Sequence, residues 1–136
     1  MSRMWTMIAA LVVTAAPASA AGQTVIHCAA VTDGMLSVVR QMASSTDIAT
    51  QRWRGISKLP SAAAQDVIAV SDEGICAAAA AVYDQWRGIN HPTRRVQVVR
   101  VGTAYVVVDP SDPAGHFTLY TVFNTEFTAK IGGWTG

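Results

Sequence analysis

The sequence predicts an α+β domain: a short N-terminal helix, then one long helix packed on a four-stranded antiparallel meander. Three observations predict it. Ile75, Cys76, Ala79, Val82, Tyr83 and Trp86 form one apolar stripe at helical spacing. Beyond Pro92 the apolar period falls to two, the period of strands. Turn signals then divide that second half into two hairpins.

The chain begins with a segment that does not read as part of the fold. Arg3 is followed by an apolar run from Met4 to Ala16, then Pro17 and the small-x-small triplet Ala18-Ser19-Ala20. That order is the pattern of a cleaved secretory signal over residues 1–20. A buried N-terminal helix is the competing reading. The run has about 13 residues, short of the roughly 20 that span a bilayer as a helix. Residues 21–136 are therefore expected to be a single domain, periplasmic or extracellular, with no transmembrane anchor.

Cys28 and Cys76 are the two cysteines. In an oxidising compartment an even pair predicts a disulfide. Such a bridge closes a loop of 48 residues, for which chain entropy gives about 4 kcal/mol of stabilisation. The sharper alternative, a catalytic cysteine with His27, His91 or His116 as base, lacks any local signature.

Thr32-Asp33 offers a helix N-cap ahead of Met35, Val38, Val39 and Met42 at helical spacing, and Ser44-Ser45-Thr46 closes this short helix. Residues 45–65 carry no readable period. Asp66–Val70 reads as a strand or an extended lead into the long helix. Ser71 or Asp72 caps that helix, predicted over 72–87, and Gly88 suits its left-handed end. Trp86 closes the stripe and is expected as a core anchor.

Val96–Val101 and Ala104–Val108 flank the turn Gly102-Thr103. Val101 then faces Ala104, Val99 faces Val106 and Gln97 faces Val108. One face is valine-rich, and Arg100 pairs with Tyr105 on the other. Phe117–Phe123 and Glu126–Ile131 are expected as a second hairpin about Asn124-Thr125, with Val122 facing Phe127 and Tyr120 facing Ala129. Gly132–Gly136 reads as a frayed tail.

The net charge is +1 and the charged fraction 14%, which gives no basic face for nucleic acid. Arg87, Arg94, Arg95 and Arg100 are the densest positive group and read as a solvated face. Serine-nucleophile and phosphate-loop motifs are absent. The pentapeptides at 52–56 and 85–89 (Arg-Trp-Arg-Gly-Ile and Gln-Trp-Arg-Gly-Ile) have no matching spacing in their surroundings and make no repeat.

The loop after the first hairpin concentrates chemistry. Asp109, Asp112 and His116 lie within eight residues, stiffened by Pro110 and Pro113. Loops on rigid scaffolds carry contacts, so this loop is the expected contact surface. The expected role is non-catalytic binding of a protein or small ligand, without metal or cofactor. The alternative is a small extracytoplasmic enzyme using His116 with Asp109 and Asp112, assisted by a metal.

The order of elements over 66–131 resembles cystatin-like helix-on-sheet domains. Gln97-Val98-Val99-Arg100-Val101 matches the first and third positions of the cystatin Q-x-V-x-G motif. Val101 stands where that motif has glycine, so the resemblance implies the fold and not the inhibitory function.

Overall fold

The computed structural model describes residues 25–88, 94–111 and 118–136. Three helices and a five-stranded antiparallel sheet make an α+β fold. The chain runs α1 (Asp33–Ser44), α2 (Ile48–Ser57), a 3-10 turn (Ala64–Asp66), β1 (Val67–Ala69), α3 (Glu73–Arg87), β2 (Gln97–Val101), β3 (Ala104–Val108), β4 (Leu119–Asn124) and β5 (Lys130–Thr135). The sheet order is sequential, β1 to β5. Among the described residues no helix is long and apolar enough to cross a membrane.

The capped helices follow their sequence signals. The Thr32 side chain accepts from the Met35 N–H and starts α1; Asp72 does the same for Ile75 and starts α3. Each satisfies an amide that the first helical turn leaves unpaired. Gly88 closes α3 at φ 69°, a conformation glycine adopts without steric cost. The β2–β3 hairpin has the expected register throughout: Val101 opposite Ala104, Val99 opposite Val106, Arg100 opposite Tyr105, Gln97 opposite Val108.

Four features complete or correct the expectation. First, α2 occupies the unread region. Asp47 caps it by accepting from the Thr50 N–H. Its aliphatic side chains Ile48 and Ile56 point outward, 66% and 81% exposed, so no inward apolar stripe announces the helix.

Second, the meander has five strands, because Val67–Ala69 pairs with β2. Third, the last hairpin is longer and shifted. Val122 lies opposite Gly132 and Tyr120 opposite Trp134, so the expected tail is strand β5. A wide turn replaces the tight one. The Asn124 side chain accepts from the amides of Thr128 and Ala129, and Phe127 turns through φ 54° to stack on Tyr105.

Fourth, Trp86 is 40% exposed. The last buried residues of α3 are Tyr83 and Asp84, and its final three residues, Gln85, Trp86 and Arg87, are exposed. Trp86 instead packs edge-on against Tyr83, and the Lys130 ammonium lies 4.5 Å from its ring centroid.

Both faces of the sheet are buried. Val99, Val101, Val106 and Val122 meet Met35, Val39 and Ala43 of α1, with Trp53 of α2 at the margin. Val98, Tyr105, Val107 and Phe123 meet Cys76, Ala79, Ala80 and Tyr83 of α3. Alternation along β2 and β3 thus feeds two cores, not one core and a solvent face. Each fully buried valine contributes on the order of 1.5–3 kcal/mol.

Candidate functional site

Cys28 and Cys76 form a disulfide. It joins the segment before α1 to the buried side of α3, where Cys76 is fully inaccessible. Noncovalent ties reinforce it. The Glu73 carboxylate accepts from the His27 and Cys28 amides at 2.6 and 3.1 Å. The Gln97 side-chain amide donates to the Ala30 carbonyl at 2.8 Å. Cys28 also bridges to Val96 of the sheet. The thiols are consumed in a staple, which removes them as nucleophiles in this state.

The expected contact loop begins inside the protein. Asp109 is 5% exposed at the end of β3. One carboxylate oxygen accepts from the Ser111 amide and hydroxyl at 2.9 and 2.7 Å, a local turn of the Asx kind. The other accepts from the Arg94 guanidinium. Arg94 Nε also lies 2.6 Å from the Asp84 carboxylate as an ion pair. Asp84, Arg94 and Asp109 are all nearly buried. Two carboxylates about one guanidinium lock the end of α3 to the end of β3, since buried charges persist only when paired.

Asp112 and His116 lie outside the described residues, as does His91. Among the described residues no group of three or more His, Cys, Asp or Glu side chains comes together as a metal site. The expected basic face is dispersed. Arg94 turns into the buried cluster, Arg95 donates to the Cys28 carbonyl, and Arg100 lies over the Tyr105 ring.

The structure assembles a different concavity on the α1–α2 side. A groove of about 380 Å3 lies between Val38 and Met42 of α1, Thr50 and Trp53 of α2, and Trp134 and Thr135 of β5. Its aromatic wall is ordered by stacking. Trp134 lies flat on Tyr120 at a centroid distance of 4.6 Å, and Trp53 meets Trp134 edge-on at 4.9 Å. Both arrangements are favourable for rings with a negative face and a positive edge. Burial pushes the Tyr120 phenol above its ordinary pKa.

The walls are fixed by backbone. The Arg54 guanidinium donates to the carbonyls of Met42 and Ser45 at 2.9 and 2.8 Å, tying α2 to the end of α1. At β5 the fit is closer. A Cβ on Gly132 would lie 2.0 Å from the Ser57 carbonyl oxygen, so glycine is required for α2 to rest on the strand. Sequence reasoning missed this site because its tryptophans sat in the unread region and the supposed tail. A tryptophan in a tail was itself a signal, since Trp is highly buried on average.

No protein-family model matches the chain, and no curated protein or solved structure gives a significant match.

Proposed function

We propose that the protein is a small exported domain, periplasmic or extracellular, with a non-catalytic binding role, and that the groove between α1, α2 and β5 is part of its contact surface. The observation that carries this reading is the aromatic-walled groove itself. It combines an apolar lining with walls held in place by Arg54 and the Gly132 contact. Preformed apolar concavities with a few polar groups are the usual form of a binding site. The disulfide supports the export half of the reading, because structural bridges persist in oxidising compartments. The Asp109–His116 loop belongs to this proposal as a second contact region, with Asp109 serving as its inner anchor.

The test has two parts. Intact-mass measurement of the protein recovered from the extracytoplasmic fraction should give a chain beginning at Ala21 with no alkylatable thiol. Affinity capture from that same fraction should then enrich a partner with the wild type and lose it with Met42→Glu, which places a charge in the groove. Recovery of a full-length chain from the cytoplasm, or equal capture by both proteins, would overturn the corresponding half.

A further inference from the structure

The groove opens on a strand edge, and the two together specify an occupant. β5 is the last strand of the sheet, and among the described residues nothing pairs with its outer side. The amide and carbonyl of Gly136 bond to Thr118 at 2.9 Å each. Antiparallel alternation therefore turns Trp134 toward β4 and leaves the backbone groups of Gly133 and Thr135 directed outward. Unpaired strand amides and carbonyls recognise another extended backbone. Trp134 and Thr135 also line the groove, so edge and groove are continuous.

Charge narrows the choice. Residues 48–58 and 130–136 carry Arg52, Arg54, Lys58 and Lys130 and no carboxylate side chain. Arg54 is engaged by the Met42 and Ser45 carbonyls, Arg52 and Lys58 are exposed, and Lys130 is exposed beside the Trp86 ring. The neighbouring carboxylates are bonded locally, Asp47 to Thr50 and Glu126 to Thr125. Lys58 lies beside Gly132 and Lys130 lies on β5 toward the α3 face, so the edge carries a cation on each side and favours an anionic partner.

We propose that β5 receives an extended segment of an acidic polypeptide as a sixth strand, which seats an apolar side chain in the Met42–Trp53–Trp134 groove. The proposal rests on the binding reading above and names the partner's chemistry. Backbone bonds to Gly133 and Thr135 supply register. Side chains of an added strand alternate between the two faces of the sheet, so every second one is directed to the groove side. The remaining positions are directed to the α3 face, where carboxylates meet Lys130 beside the Trp86 ring.

The test uses the intact oxidised protein and a fluorescent synthetic peptide alternating Glu and Leu, followed by anisotropy. Binding is expected. N-methylation of one alternate set of peptide amides should weaken it by at least about tenfold, and methylation of the other set should leave it nearly unchanged, because a strand bonds its neighbour through alternate residues. Replacing Glu by Lys in the peptide should weaken binding by a similar factor. Thr135→Pro removes an outward amide without removing a bond to β4; it should weaken binding while melting like the wild type. No binding, equal effects of the two methylated sets, or equal affinity for the Lys peptide would overturn the proposal. So would an edge already closed by a second copy, seen as a stable dimer that the peptide does not dissociate. If the peptide fails while the wild type still captures a partner that Met42→Glu loses, the binding reading stands and strand addition falls.

Discussion

The two faces of the sheet are held in different ways. On the α3 face the helix is fixed by a covalent bridge at Cys76, a carboxylate clasp at Glu73 and a buried ionic cluster at Asp84. On the other face α1 and α2 are held by packing, by Arg40 and Arg54 reaching carbonyls, and by the contact at Gly132. The tryptophan-walled groove lies on this second face. One sheet thus carries its covalent and ionic ties on one side and its open concavity on the other, where packing and backbone contacts hold the walls.

The largest expected effect breaks the locked face. Cys28→Ser with Cys76→Ser should cost about 4 kcal/mol in denaturant melts, the value for releasing a loop of this length. A loss below about 1 kcal/mol, within the range of ordinary hydrogen bonds, would mean that the Glu73 and Gln97 bonds hold the N-terminal segment without the bridge.

On the groove face, Gly132→Ala should cost about 1–3 kcal/mol by overpacking against the Ser57 backbone, which cannot rotate away. The same variant should weaken capture of a partner, because α2 is one wall of the groove. A stability change within about 0.5 kcal/mol, the size typical of an open surface site, would show that α2 is free to slide on β5.

Trp86→Ala sharpens the boundary of the locked face. A buried tryptophan would cost about 3–5 kcal/mol. The exposed ring should cost about 1 kcal/mol or less, chiefly through its Lys130 and Tyr83 contacts. Chemical denaturation of the purified variant distinguishes the two.

The smallest effect at neutral pH belongs to Tyr120→Phe. The folded phenol is raised above its unfolded value, so its neutral form is favoured in the native state. That stability is fully present below the unfolded pKa of about 10 and is lost as pH rises through the folded value. The wild type should therefore lose stability above about pH 10 more steeply than Tyr120→Phe. Parallel alkaline melting curves would place the Tyr120 ring in contact with water.

The sequence made some of this readable for physical reasons. The β2–β3 register follows from a two-residue turn, which leaves one alignment for the strands. α1 and α3 announce themselves through N-caps and inward stripes, and the two cysteines had one partner each. α2 was not readable because its isoleucines, Ile48 and Ile56, face outward and Ser57 is its buried residue. β5 was hidden by Gly132-Gly133, which supply neither strand propensity nor an alternating side chain. Its register is set by contacts distant in sequence: α2 resting on Gly132 and Tyr120 stacking on Trp134. Arg94 looked like a surface cation because the carboxylates that hold it come from Asp84 and Asp109, on separate elements.

At the opposite end of the sheet the Arg40 guanidinium donates twice to the Val67 carbonyl, at 3.3 and 3.2 Å. That carbonyl belongs to β1, a strand of three residues. An acceptor that an incoming strand would need is already occupied, and the strand is too short to template a long partner. In the language of polymer chemistry the sheet is monofunctional. A molecule with two open edges can pair at both and propagate into a fibre, whereas one with a stopped edge pairs once and terminates. Arg40 and the shortness of β1 thus act together as a chain terminator.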